Sequence, residues 1–159
     1  MAQTPRAERP TYSIGDKWIP PAGVFELIRI ENDIYIFSNE RAREIRLTKE
    51  LGLVKAEGPM GLLEFHPSLP MDWPLTVGKK TPREIEWQTP QSGGFNRIYV
   101  NWEVESYEEV QVPAGSFKAF KIHYSWQVGP PGARQWRELS MWYSPEAKQI
   151  IKFASTQFR

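Results

Sequence analysis

The most regular part of the chain reads RIYVNWEVES at residues 97–106 and FKAFKIHYSWQV at residues 117–128. In both segments apolar residues alternate with polar ones, a pattern typical of strands that bury one face. The corner VPAGSF at residues 112–117 predicts a tight turn that leads into the second strand. We therefore predict an antiparallel pair with one aromatic, apolar face and one charged face.

Further strand patterns precede this pair. Residues 24–31 and 34–38 are rich in β-branched and aromatic residues, and Asn32 and Asp33 between them tolerate positive φ, which predicts a hairpin. Residues 39–53 leave a helix open as an alternative, because good helix formers fill the segment, but its middle alternates as a strand does.

The chain closes with two more predicted strands, at residues 134–143 and 149–158. The complete pattern predicts an all-β fold with little helix. We expect an antiparallel meander of about nine to ten strands, curled into a half-barrel or a sandwich. Residues 1–11 read as a flexible N-terminal lead-in and residues 12–159 as a single β domain.

Composition excludes several classes of protein. Lys plus Arg number 20 and Asp plus Glu number 19, so the chain lacks the positive excess of a nucleic-acid binder. It contains no cysteine, which excludes disulfides, thiolate catalysis and Cys-based zinc sites. We find no apolar run long enough to span a membrane, and we predict no integral membrane segment, metal or cofactor.

Candidate catalytic groups are few. Glu64 and His66 share a strand face at a spacing that a metal can use, but a metal site needs three or four converging ligands and His123 is the only other histidine. Several carboxylates cluster near one strand end and offer an acid and a base: Glu103, Glu105, Glu108 and Glu109. Solvated surface charges are the simpler interpretation, so we name no catalytic residue and expect a protein that is not an enzyme.

Aromatic residues are the feature that stands above the background. The chain has 7 Trp, and the apolar segment 67–82 carries one of them, Trp73, as a candidate lid. These residues either fill the core or line an apolar cleft, since ligand sites are mostly apolar with aromatic walls. The predicted ligand-binding residues form one aromatic wall and its lid: Trp73, Trp102, Tyr124, Trp126, Trp136 and Trp142.

Four motifs occur in an order that resembles a known group: YSIGDKW (12–18), WPLTVGK (73–79), VPAGSFKAFKI (112–122) and WYSPE (142–146). This order is similar to a loose group of uncharacterised bacterial β domains, exported or fused, which resemble the periplasmic half-barrels that handle lipoproteins or lipids. The resemblance implies an extracytoplasmic, periplasmic or secreted location, with a signal peptide absent from this sequence, while a cytoplasmic location stays open. It also implies a non-catalytic role.

Three functions follow from these observations. The first is a non-catalytic binding module whose aromatic-lined apolar cleft holds a hydrophobic or lipid-like ligand. The second is a structural or interaction domain that docks a partner protein through its sheet. The third, a hydrolase-type enzyme that uses carboxylates or histidine, requires a polar constellation inside a cleft.

Overall fold

The computed structural model describes residues 5–18, 24–58, 61–88, 94, 96–129 and 131–157. These residues form eleven strands and no helix, and every strand pairs antiparallel with the next one along the chain. The predicted all-β antiparallel meander is confirmed, with slightly more strands than expected. No helix long and apolar enough to cross a membrane occurs in this described part of the chain.

The strands are β1 (Lys17–Trp18), β2 (Phe25–Glu31), β3 (Ile34–Ser38), β4 (Glu44–Thr48), β5 (Leu53–Gly58), β6 (Gly61–His66), β7 (Arg83–Gln88), β8 (Asn96–Val112), β9 (Gly115–Val128), β10 (Gln135–Ser144) and β11 (Gln149–Gln157). Phe158, the last residue of the final predicted strand, lies outside the described residues, as do residues 1–4 of the predicted lead-in.

The local predictions are confirmed where turn chemistry dictated them. Asn32 and Asp33 have φ values of 50° and 63° and join β2 to β3, as expected for the two central residues of a hairpin turn. The strand alternative over residues 39–53 is also confirmed, because β4 pairs with β3 on one side and β5 on the other. Burial of Leu47 between these neighbours outweighs the helix propensity of the segment.

β8 continues beyond the predicted segment 97–106 to Val112 as a single strand with a β-bulge. Val104 pairs with Ile122 and Ser106 pairs with Lys121, so Glu105 is the extra residue on β8. Because of this extra residue, even-numbered residues face inward before the bulge and odd-numbered residues face inward after it. As a result Tyr107 lies on the inner face, against Phe120 at 4.6 Å between ring centroids, and Val110 lies on the outer face.

The sheet curls until its first and last strands meet, which makes it a nearly closed half-barrel. Trp18 of β1 donates its indole N–H to the backbone carbonyl of Ile150 in β11, and the Tyr12 hydroxyl donates to the carbonyl of Lys148. The rings of Trp18 and Phe153 lie 5.7 Å apart at the same place. We call this contact the seam. Side-chain donors join the two edges there, and no β-ladder between β1 and β11 occurs among the described residues.

The core fills the concave side of the sheet. It includes large side chains that are almost fully buried: Leu27, Tyr35, Phe65, Trp102, Phe120, Ile122, Tyr124 and Tyr143. Segment 67–82 folds back over this side, as its apolar sequence predicted, and buries Leu69, Met71 and Leu75. Ala7, within the predicted lead-in, forms a bridge with Leu75 through two backbone hydrogen bonds of 3.0 and 2.8 Å.

Candidate binding site

The inner aromatic residues of β8 and β9 lie opposite each other. Trp102 pairs with Tyr124, and both are almost completely buried. The Tyr124 hydroxyl donates a 2.7 Å hydrogen bond to the carbonyl of Pro70, so segment 67–82 of the same chain covers this pair. Burial raises the pKa of the Tyr124 hydroxyl far above its ordinary value.

β8 divides its pairing between two neighbours. Its residues 96–100 pair with β7, and its residues 101–112 pair with β9. On the β7 side, residues 78–81 continue the edge, with backbone hydrogen bonds from Gly78 and Thr81 to carbonyls of β8. On the other side, the end of β9 at residues 126–128 has β10 as its only strand neighbour in the described chain.

We call the place where β8 and β9 stop pairing the β8–β9 gap, formed on the inner side by Phe65, Trp87, Trp126 and Arg137. Trp126 meets Trp87 at 5.7 Å and Phe65 at 6.4 Å between ring centroids, both edge-to-face. Phe65 and Trp87 stack at 6.2 Å. Arg137 is the cross-strand partner of Trp126 on β10 and shares its face. Aromatic side chains and one cation therefore meet where the ladder ends.

Two exposed aromatic residues flank the same gap on the outer face. Tyr99 is 58% exposed and lies two residues before Asn101, the first residue of β8 that pairs with β9. Trp136 is 43% exposed and pairs with Gln127 at the end of β9. Exposed aromatic side chains that lie close together are more frequent on binding surfaces than elsewhere on a protein.

The single aromatic wall predicted from sequence is split between two faces. Trp102, Tyr124 and Trp126 face inward, whereas Trp136 and Trp142 face outward. The register explains the split, since Trp142 pairs with Lys121 and Trp136 with Gln127, both of which alternate with inner residues of β9. In residues 134–143 both even-numbered and odd-numbered positions carry apolar side chains, so the sequence pattern alone did not show which of them face inward.

Trp142 belongs to a separate outer cluster with Val110, Ala119 and Ile151. Its indole N–H donates to a carboxylate oxygen of Glu108 at 3.0 Å, and the ammonium groups of two lysines lie over its ring, with Lys152 at 4.7 Å. Trp73, the predicted lid, donates its indole N–H to the carbonyl of Glu50 at 2.6 Å and packs against Tyr143 at 5.0 Å. Neither residue lies at the β8–β9 gap.

The polar candidates lie on strand faces. The two ring nitrogens of His123 lie 3.4 Å from carboxylates of Glu105 and Glu138, and Glu105 also pairs with Lys121 at 3.6 Å. His66 contacts Glu64 at 3.8 Å. Among the residues that the structure describes, no three His, Asp or Glu side chains are grouped as a metal ion requires. Ser140 is the cross-strand partner of His123 on β10, but no hydroxyl group of the described residues is hydrogen-bonded to that imidazole, so Glu105, His123 and Glu138 form a polar cluster on the outer strand faces.

A small apolar cavity at the seam was not predicted from sequence. It offers about 20 Å³ to a water-sized sphere, which is room for about one water molecule. Its lining comes from the N-terminal segment, β3, β4 and the start of β11: Tyr12, Asp16, Lys17, Trp18, Phe37, Leu47, Leu51, Gln149 and Ile150. None of the six predicted ligand-binding residues lines it. The motif at residues 12–18 is the part of the sequence that could have indicated this cavity, because it places two aromatic side chains, Tyr12 and Trp18, beside a turn.

The fold and the site define an all-β half-barrel whose aromatic gap lies between two strands of one sheet. No protein-family model matches the chain, and no curated protein is significantly similar to it in sequence. Among solved structures, the chain is similar to the hypothetical lipoprotein YmcC from Escherichia coli K12. That likeness has a TM-score of 0.53 at 12% sequence identity and covers 80% of this chain and 69% of the other. It supports the half-barrel fold.

Proposed function

We propose that this domain is a non-catalytic binding module for a hydrophobic, lipid-like ligand, which it takes up at the β8–β9 gap. One observation carries the proposal: Phe65, Trp87 and Trp126 form an aromatic group at the place where the ladder between β8 and β9 ends. An aliphatic chain placed there contacts aromatic rings without breaking strand pairing, and burying its surface contributes about 25 cal/mol per Å².

The positions of Trp102 and Tyr124 next to the gap support this location. Both are buried under segment 67–82 and adjoin Trp126 along the inner face. In the proposal they form the floor of the site, Trp126 forms its wall and Trp136 its outer rim. Trp73 and Trp142 stabilise the fold and do not contact the ligand in this proposal, because their N–H groups are bonded to Glu50 and Glu108.

An extracytoplasmic location is part of the proposal. The similar structure is described as a lipoprotein, and the domain has no cysteine that would need a reducing compartment. A ligand of this kind is insoluble in water, so a carrier or receptor outside the cytoplasm is the setting that the fold suits.

Docking of a partner protein is the second candidate. Tyr99 and Trp136 remain exposed on the outer face beside the gap, and aromatic residues are enriched at the centres of protein interfaces. A protein that covers these two residues uses the outer face and does not need the inner side chains of the gap.

Calorimetric titration with alkyl probes of matched chain length separates the two candidates. We expect saturable binding, reduced about tenfold or more by Trp87→Ala, because the partly buried Trp87 ring contributes to the proposed contact. Trp142→Ala is the control, since Trp142 lies in the outer cluster. Absence of binding by every alkyl probe, or equal loss in both variants, contradicts lipid binding at the gap and favours a protein partner.

A further inference from the structure

Indole N–H groups in this domain fall into two sets. Trp18, Trp73 and Trp142 donate to Ile150, Glu50 and Glu108 respectively. Trp102 and Trp126 have buried indole nitrogens with no acceptor in the described part of the protein. Buried donors in folded proteins are nearly always paired, and an unpaired one costs about 1–3 kcal/mol. The two unpaired donors are neighbours on one face, next to Tyr124.

The described surroundings of Trp126 explain why its indole N–H finds no acceptor among them. Its ring lies against Phe65 and Trp87, whose side chains offer none. The Tyr124 hydroxyl and the Pro70 carbonyl, also on the inner face, are bonded to each other. Trp126 is only 6% exposed, so bulk water does not replace the missing partner.

A cationic residue lies on the strand beside Trp126. Arg137 is directly opposite Trp126 across β9 and β10 and shares its face, at a cross-strand position where side chains reach each other. Its guanidinium makes only long hydrogen bonds, 3.3 Å to the side chain of Gln135 and 3.5 Å to the Trp136 carbonyl. Every carboxylate of the described residues is more than 4.0 Å from it. Arg97 on β8, by contrast, pairs with Glu84 at 2.9 Å.

Because a guanidinium without a carboxylate partner and an indole N–H without an acceptor belong to cross-strand neighbours on one face, we infer that the β8–β9 gap recognises the anionic oxygen head of a single-chain amphiphile. The carboxylate or phosphate oxygens accept hydrogen bonds from Trp126 Nε1 and the Arg137 guanidinium. The aliphatic chain then lies against Phe65 and Trp87. Hydrogen bonds to a charged acceptor are about twice as strong as neutral ones, and guanidinium geometry suits both kinds of head.

This inference rests on the proposed function and adds the chemistry of the head group to it. Three probes of matched chain length test it: laurate, dodecyl phosphate and the neutral 1-O-dodecylglycerol. Each is titrated calorimetrically, below its micelle-forming concentration, into the full chain and into two variants, Arg137→Gln and Trp126→Phe. Denaturant unfolding of each variant establishes that it is folded.

We expect the wild type to bind at least one anionic probe more tightly than the neutral probe. Arg137→Gln lowers that affinity about tenfold and Trp126→Phe about fivefold, while both leave the neutral probe within about twofold. The two anionic probes distinguish a carboxylate from a phosphate head. Arg134→Gln is the control for general charge, because Arg134 is exposed in the turn before β10.

The outcomes are separable. If all three probes bind equally and the variants do not change their order, the head-group inference is wrong and the proposed function stands. If none binds, the proposed function fails and the inference fails with it. If Arg134→Gln weakens anionic binding as much as Arg137→Gln does, general charge attraction replaces recognition at the gap.

Discussion

The indole N–H of Trp18, in the first strand, donates a hydrogen bond to the backbone carbonyl of Ile150 in the last strand. This single bond spans 132 positions of the chain and joins the two edges of the sheet. Without a ladder there, the half-barrel depends on side chains for closure. A change to a side chain at the seam therefore acts directly on this closure.

Trp18→Phe is expected to lower the free energy of unfolding by about 1–3 kcal/mol. Phenylalanine keeps ring packing against Phe25 and Phe153 but leaves the carbonyl of Ile150 without its donor, and an unpaired buried acceptor costs that amount. Urea denaturation measures the loss. Trp136→Phe is the matched control and is expected within about 0.5 kcal/mol of wild type, because Trp136 is half exposed. Equal effects in the two variants would show that the seam bond is not stabilising.

Deletion of Glu105 removes the bulge of β8. Without it Val104 and Ser106 become consecutive residues that still pair with Ile122 and Lys121, so Tyr107 stays on the inner face and Val110 on the outer face. We expect a folded chain that loses at most about 1–2 kcal/mol, because only the local bend and twist of β8 change. Glu105→Ala separates the bulge from the charge, since it keeps the extra residue and loses only partly exposed contacts with Lys121 and His123, worth about 1 kcal/mol or less. A deletion variant that fails to fold while Glu105→Ala stays stable would contradict this expectation and show that the fold requires the bend at the bulge.

Stability is expected to fall in alkali. Burial raises the pKa of the Tyr143 hydroxyl from 10.0 to about 12, and burial raises those of Tyr124 and Tyr12 further. Below pH 10.0 these groups are protonated in both states, so stability there is unaffected by them. Above it the unfolded chain releases protons that the folded chain retains, and stability falls by about 1.4 kcal/mol per pH unit for each such tyrosine.

Unfolding by urea at several pH values from 9 to 11 measures this slope. Tyr143→Phe is expected to reduce the slope by the contribution of one tyrosine, about 1.4 kcal/mol per pH unit. Tyr99→Phe is the matched control for the substitution, because Tyr99 is largely exposed. A wild-type slope of zero over this range would show that the buried hydroxyls do not hold their protons.

Gly52 holds segment 67–82 against β5. A Cβ at this position would lie 2.5 Å from the carbonyl oxygen of Leu69 and 2.8 Å from the hydroxyl of Ser68. Gly52→Ala is therefore expected to cost about 1–3 kcal/mol and to weaken the hydrogen bond from the Leu69 amide to Leu53, now 2.8 Å.

Hydrogen exchange at the Leu69 amide reports on this bond directly, alongside denaturant unfolding. Gly94→Ala is the control, because a Cβ there meets nothing within 4 Å. Unchanged exchange at Leu69 in Gly52→Ala would show that the close approach of Gly52 is not needed to hold segment 67–82 in place.

The sequence by itself determined the fold class, the hairpin at Asn32–Asp33 and the inward position of Trp102, Tyr124 and Trp126. All of these follow from local rules: a period of two in the side chains, and turn residues that accept positive φ. Such patterns can be recognised within about ten residues, and they hold for any tertiary arrangement that buries one face of the strand.

Only the tertiary structure decided where the aromatic side chains meet. The face of Trp136 and Trp142 depends on register across strands, and the meeting of Phe65 with Trp126 depends on where β8 exchanges β7 for β9. The seam between Trp18 and Ile150 likewise depends on how far the whole sheet curls. These are sums of twist and bulges over many strands, so no single stretch of sequence contains them.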